Sequence, residues 1–168
     1  GHHSRLTNEY EWILKSCIPI NPYKKQRRFS MIAVGIDVSK SKSTVAILNA
    51  DGTKRVTPFE VKHNLPELNA LVKYLNDLNE NIVILMEHTG HYHYPILKKL
   101  NDEGFQVCLA NPYQMKKYGD TELRRTKTDK KDAIRIATYA LEKSYQLVPY
   151  NSMEQKYEDL RLLSRQYS

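Results

Sequence analysis

The chain between positions 31 and 52 reads MIAVGIDVSKSKSTVAILNADG, and this stretch decides the fold. Residues 31–38 are almost continuously apolar and match one buried strand, while residues 43–49 match a second. The turn residues NADG at 49–52 predict a hairpin that leads into a third strand at 54–61. The sequence therefore predicts three consecutive antiparallel strands.

Helices and strands alternate after this hairpin. Pro58 lacks a backbone N–H, so the third strand is expected at a sheet edge. The further predictions are a helix that Asn64 and Glu67 cap, a strand at 81–86, a helix at 90–101, a strand at 105–110, a short helix opened by Asn111 and Pro112, and a helix at 128–142. This order predicts an α/β fold of the RNase H-like type, in which three antiparallel strands and two parallel strands form one mixed sheet flanked by helices.

Four carboxylates follow from this topology as a candidate site. Asp37 ends the first strand and Glu87 follows the fourth, and these two strands are expected to be central neighbours with their carboxyl ends at one edge. Asp129 and Asp132 are three residues apart and continue the apolar stripe that begins at Ala133, so they are expected to face the core. Converging anions repel one another, and proteins usually neutralise such a group with a bound divalent cation.

Each carboxylate alone has an ordinary explanation. Asp37 is also typical of a turn, and Glu87, Asp129 and Asp132 are also typical of helix N-termini, where negative charge is favourable. In the predicted fold, the end of the first strand, the end of the fourth strand and the start of the helix at 128–142 converge, and this convergence favours a metal site over three separate turn or cap residues.

A basic stretch lies beside the last two aspartates. We expect its side chains to contact nucleic-acid phosphates, the alternative being a solvated face. The predicted nucleic-acid-binding residues are Lys116, Lys117, Arg124, Arg125, Lys127, Lys130 and Lys131. Tyr92, Tyr94 and Tyr113 are candidates for base stacking or for packing. The histidines at 88, 91 and 93 lack the paired spacing of zinc ligands and are interpreted as polar turn residues.

Composition and charge divide the chain into three parts. Residues 1–30 carry +4 of the net charge of +7 and are interpreted as a leader or tag-derived segment. Residues 31–150 form the predicted catalytic domain, and residues 151–168 are expected to begin a truncated coiled-coil helix with its stripe at Met153, Tyr157, Leu160, Leu163 and Tyr167. Two cysteines and no long apolar run predict a reducing, cytoplasmic setting without a membrane.

Four sequence blocks carry a family resemblance. Together, the blocks GIDVSK at 35–40, EHTGHY at 87–92, Asn111-Pro112 and KTDKKDA at 127–133 resemble the RuvC-like DEDD domain of bacterial insertion-sequence transposases of the one-ten family, which includes Piv-type DNA invertases. The resemblance covers about residues 31–168. Each block is weak alone, whereas the four in this order are specific.

The resemblance implies a function and its cofactors. It implies Mg²⁺ or Mn²⁺, two ions, at Asp37, Glu87, Asp129 and Asp132 as catalytic and metal-binding residues, with phosphoryl transfer on DNA. It also implies a bridge RNA as guide. A homo-oligomer in the full-length protein is expected from the coiled-coil-like last helix. The family's further domain with a serine nucleophile is not in this sequence, so the chain alone is expected to be an incomplete recombinase.

Three other functions stay open from the sequence. One is a Holliday-junction resolvase-like nuclease that uses water, and another is a non-catalytic platform that binds guide RNA or DNA. An actin-like sugar kinase ranks last, because the chain lacks a second glycine-rich phosphate loop. Metal-dependent cleavage of junction DNA would favour the first, and RNA binding without cleavage the second.

Overall fold

The structure, a computed structural model, describes residues 31–87, 90–119, 128–150 and 160–166. Its strands are β1 (Ile32–Val38), β2 (Lys42–Leu48), β3 (Lys54–Lys62), β4 (Ile82–Glu87) and β5 (Val107–Ala110). Its helices are α1 (Leu65–Asp77), α2 (Tyr94–Asp102), α3 (Pro112–Gly119) and α4 (Asp129–Glu142), followed by a 3₁₀ turn at Ser144–Gln146. Among these residues, no helix is long and apolar enough to cross a membrane.

One five-stranded sheet holds these elements together, in the order β3-β2-β1-β4-β5. β1 pairs antiparallel with β2 and parallel with β4, β2 pairs antiparallel with β3, and β4 pairs parallel with β5. The predicted fold class is therefore confirmed, with β1 and β4 as central neighbours. Pro58 lies in β3 at the sheet edge, as its missing N–H requires.

The two faces of the sheet bury different kinds of side chain. The face toward α1 and α2 is lined by large aliphatic residues, and the helices add Leu68, Leu71, Val72, Leu75, Ile96, Leu97 and Leu100. The opposite face, here named the α4 face, is lined mostly by small residues. Its buried strand and helix residues include Ala33, Ala46, Leu85, Ala110, Met115, Ala133, Ile136, Ala137 and Ala140. Small side chains allow a helix to approach a sheet closely.

α2 and β5 begin later than the sequence predicts. Gly90 has φ of 56°, and Pro95 has no N–H to donate to a carbonyl four residues earlier, so α2 begins at Tyr94 with the proline in its first turn. The helix ends at Asp102 and is closed by Gly104, which has φ of 88°, and the Phe105 amide donates to the Leu100 carbonyl at 3.0 Å. Because the Phe105 amide is bonded to the helix and not to a neighbouring strand, β5 begins only at Val107.

The terminal segments remain predictions. Residues 160–166 are helical and exposed, whereas Met153, Tyr157 and Tyr167 of the predicted coiled-coil stripe lie outside the described residues. The leader or tag-derived segment at 1–30 also lies outside them.

Candidate metal centre

Asp37 is the penultimate residue of β1 and belongs to the α4 face. Side chains alternate along a strand, and Asp37 follows Ala33 and Gly35 at steps of two. Its partner on β2 is Thr44, which is buried. The carboxylate is half-buried at the end of the central strand, where α4 passes over the sheet.

Asp129 and Asp132 stand in the first turn of α4. Thr128 caps this helix, since its hydroxyl oxygen accepts the Lys131 amide at 3.2 Å. One stripe of α4 is buried against the sheet, and Asp132 begins it with 8% of its surface exposed. The exposed Asp129 lies one turn closer to the helix N-terminus, where a negative charge is favourable.

These elements bring three carboxylates together. Ligand oxygens of Asp37, Asp129 and Asp132 lie within 4.8 Å of one another. Two oxygens on one Mg²⁺ are separated by about 2.9–4.2 Å, because each bond is about 2.0–2.1 Å long and the geometry is octahedral. The three oxygens are therefore grouped closely enough to be candidate ligands of one divalent ion.

Glu87 lies beside this group without belonging to it. Ile36 pairs with Met86 in the parallel β1–β4 ladder, so Asp37 and Glu87 follow at the same level on adjacent strands. Leu85, two residues earlier, is on the α4 face, which places Glu87 on that face as well. Among the described residues, the group of three carboxylates whose ligand oxygens all lie within 4.8 Å of one another does not include Glu87. Its role as a ligand stays a prediction.

Arg135 is the cationic neighbour of Asp132. Its Nη2 lies 3.2 Å from Asp132 Oδ1, and the guanidinium also packs against Gly119 at the end of α3. The Arg135 Nε is buried and has no hydrogen-bond partner among the described residues. In the sequence, Arg135 ends the basic stretch that begins at Lys116, and its spacing of three from Asp132 on a helix already indicates an ion pair.

Lys42 is a second cation that the sequence analysis missed. Its Nζ donates to Glu60 Oε1 at 2.7 Å, and this exposed pair raises the pKa of Lys42, with a smaller contribution from the charge of Asp129. The pKa of Glu60 is lowered mainly by Lys42, and the charge of Lys130 also contributes. Alternation along β2 places Lys42 on the same face as Thr44, and that signal was available in the sequence.

The predicted nucleic-acid contacts lie on two helices. Lys116 and Lys117 are exposed on α3, and Lys130 and Lys131 are exposed on α4 next to Asp129. The Lys117 Nζ lies 5.4 Å from the centre of the Tyr113 ring, which is 66% exposed. Arg124, Arg125 and Lys127 lie outside the described residues.

The histidine turn differs from its predicted character. His91 and His93 lie in a turn as predicted, but His93 is buried, with only 1% of its surface exposed, and it stacks on Tyr94 with ring centres 4.5 Å apart. Tyr94 also stacks on His91 at 6.1 Å. His88 lies outside the described residues, and neither His91 nor His93 belongs to the candidate metal cluster.

Comparisons with known proteins identify a family and a relative. A family model of DEDD type for IS110 elements, described as a transposase, matches residues 34–168. The transposase for insertion sequence element IS1533 from Leptospira borgpetersenii is 27% identical over 106 residues, which are 63% of this chain and 30% of the relative. The chain thus spans less than a third of that relative's length.

Solved structures resemble the fold. RuvC from T. thermophilus in complex with a Holliday junction substrate has a TM-score of 0.53 and 14% identity, covering 71% of this chain and 99% of the other. A second Thermus thermophilus RuvC structure has a TM-score of 0.51 and 15% identity, covering 71% and 100%. At this level of identity the likeness concerns the fold alone.

Proposed function

Because the chain belongs to the DEDD transposase family of IS110-type insertion sequences, we propose that residues 31–150 form a catalytic domain for metal-dependent phosphoryl transfer on DNA. The observation that carries this proposal is the set of three carboxylates within 4.8 Å on a RuvC-like sheet. Carboxylate oxygens are the ligands that Mg²⁺ and Mn²⁺ prefer. The function proposed for the full-length protein is DNA transposition or recombination.

The proposed ligands are Asp37, Asp129 and Asp132, with Glu87 completing the set from the adjacent strand. Bound divalent ions, two in our proposal, would supply Lewis-acid activation of the scissile phosphate and of the attacking oxygen. Asp37 would hold the metal from the end of the central strand β1, facing the two aspartates of α4. Arg135 holds Asp132 in orientation through the contact of 3.2 Å.

DNA is the proposed substrate, and the exposed lysines of α3 and α4 are its proposed phosphate contacts. Lys130 and Lys131 immediately follow Asp129, so a phosphate at the carboxylates would lie within reach of them. Neutralisation of the acidic cluster by ions would leave this face strongly cationic, as a polyphosphate binder requires. A bridge RNA as guide is a further proposal, supported by the family resemblance, and a homo-oligomer in the full-length protein is another, supported by the predicted coiled-coil helix at 151–168.

Metal binding is the first test. Calorimetric titration with Mn²⁺ should show binding to the parent chain that Asp37→Asn or Asp132→Asn abolishes. Asp77→Asn is the matched control, because Asp77 is an exposed carboxylate at the end of α1. Unchanged Mn²⁺ binding in both site variants would contradict the proposed ligands.

A second candidate function is a resolvase-like nuclease, and the similarity to the RuvC fold favours it. The two candidates differ in the attacking group, which is water for a resolvase. Incubation of the chain with a four-way DNA junction and Mg²⁺ separates them: symmetric nicks that Asp132→Asn removes would favour the resolvase. RNA binding without any cleavage, even by a full-length family member, would favour a binding platform.

A further inference from the structure

Gly35 lies where α4 crosses β1, two residues before Asp37. A Cβ placed on Gly35 would lie 2.3 Å from the Ala133 carbonyl oxygen and 2.3 Å from the Ala137 amide nitrogen. These two atoms stand four residues apart, as acceptor and donor of one main-chain hydrogen bond of an α-helix. The helix backbone therefore rests directly on the strand backbone, with no side chain between them.

Candidate metal ligands lie close to this contact in the sequence, on the strand as well as on the helix. Asp37 follows Gly35 by two residues on the same face of β1, and Asp132 immediately precedes Ala133. The separation of β1 and α4 at Gly35 consequently sets the separation of the carboxylates, which now lie within 4.8 Å.

The neighbouring residues leave no slack for a larger side chain at position 35. Ordinary van der Waals contact begins at 3.4 Å, so a Cβ at 2.3 Å would force the two backbones apart by about 1 Å or more. The atoms that it meets belong to the helix backbone and cannot rotate away, unlike the end of a flexible side chain. The displacement would be passed to Asp132 at the next residue.

We propose that Gly35 is a positioning residue of the candidate metal centre, because its missing side chain lets α4 bring Asp129 and Asp132 onto Asp37. The inference rests on the proposed metal-binding function. Gly35→Ala should keep the fold and weaken metal binding, since ligand oxygens set apart by about 1 Å more no longer match the octahedral shell of a small ion.

Mn²⁺ affinity tests this directly, measured by electron paramagnetic resonance of free Mn²⁺ well below the melting temperature. The matched control is Val34→Ala, which removes core volume from the opposite face of β1 at the adjacent position. Gly35→Ala should bind Mn²⁺ at least tenfold more weakly than the parent, whereas Val34→Ala should bind like the parent. If Gly35→Ala does not fold, Ala137→Ser replaces it, because Ala137 is fully buried between α4 and the sheet and an added atom there would also push α4 away from β1.

Two results would overturn the inference. One is parental Mn²⁺ affinity in Gly35→Ala, and the other is an equal loss of affinity in Val34→Ala, which would reduce the effect to general destabilisation. Crystal structures of the metal-free parent and Gly35→Ala separate this inference from the proposed function. A carboxylate separation that increases between Asp37 and Asp132 supports the positioning role even if the parent binds no Mn²⁺, and an unchanged separation overturns it.

Discussion

Arg135 balances the charge of a crowded acidic group. Its guanidinium lies 3.2 Å from Asp132, whose carboxylate also faces those of Asp37 and Asp129 within 4.8 Å. Like charges at such a distance raise the free energy of the folded state, and a neighbouring cation lowers it. Without metal, the arginine is therefore expected to matter most.

We predict that Arg135→Gln melts below the parent in EDTA, by a few degrees if the loss of stability is about 1 kcal/mol. Added Mg²⁺ should narrow this difference, because a bound ion supplies the positive charge that the variant lacks. Differential scanning calorimetry with and without Mg²⁺ measures both values, and Arg135→Lys is the control that keeps the charge. Equal melting temperatures in EDTA would contradict the balancing role.

His63 makes the stability depend on pH. Its Nε2 lies 2.7 Å from the hydroxyl of the fully buried Ser43, and burial lowers the pKa of His63 below its usual 6.5. The unfolded chain therefore binds this proton at a higher pH than the folded chain does. The stabilising contribution is complete above the unfolded pKa and is lost as the pH falls toward the folded pKa.

His63→Gln should accordingly lose less stability than the parent as the pH falls from about 7.5 to 5.5. Urea denaturation at each pH gives the free energy of unfolding, and hence its loss in the parent and in His63→Gln. His91→Gln is the control because His91 is exposed. An identical loss of stability in the parent and in His63→Gln would show that other groups carry the whole pH dependence.

α4 depends on its N-cap to present two of the three carboxylates. The Thr128 hydroxyl accepts the Lys131 amide, and the first turn that it closes contains Asp129 and Asp132. Thr128→Ala should lower the free energy of unfolding by about 1 kcal/mol and weaken Mn²⁺ binding, because the first turn frays. Thr128→Ser retains the acceptor and should retain both properties. Parental Mn²⁺ affinity in Thr128→Ala would show that the cap serves stability alone.

The exposed lysines of α3 and α4 should determine the salt dependence of DNA binding. Replacing Lys116, Lys117, Lys130 and Lys131 by Gln should reduce the slope of log affinity against log salt by about one for each phosphate that the protein no longer neutralises. Lys73→Gln with Lys98→Gln is the control, since both lysines are exposed on the helices of the other face. Fluorescence anisotropy with a short duplex measures the slope, and an unchanged slope would identify the four lysines as solvated surface.

Association of whole molecules is expected through the last helix. Leu160, Leu162 and Leu163 are more than half exposed in the helical residues 160–166, and a helix this short is marginal alone. Extending the chain by several heptads should therefore tighten self-association, measured by sedimentation equilibrium. An extended chain that stays monomeric at high concentration would contradict the predicted coiled coil.

Local patterns in the amino-acid sequence were sufficient for the order of the elements. The turn at 49–52, the cap at Asn64 and the edge position of Pro58 depend on neighbouring residues, and the structure agrees with each. The same patterns placed Asp37 at a carboxyl end and Asp132 on a buried stripe, because alternation in strands and the helical repeat follow from backbone geometry. Among the element boundaries, the predicted starts of α2 and β5 were wrong. Pro95 fixes the first turn of α2, and the turn at Gly104 that closes α2 delays β5, and the apolar pattern indicates neither effect.

Distances between segments remote in the chain required the folded molecule. The approach of α4 to Gly35, the 4.8 Å grouping that includes Asp129 but not Glu87, and the influence of Asp129 on Lys42 join residues about 90 positions apart. Such distances depend on how closely a helix packs on a sheet, and that is set by all the side chains of the interface together. A periodic pattern indicates which face a residue occupies. Metal binding depends on differences of about 1 Å in the separation of ligand oxygens, and only the packing of the folded chain sets these separations.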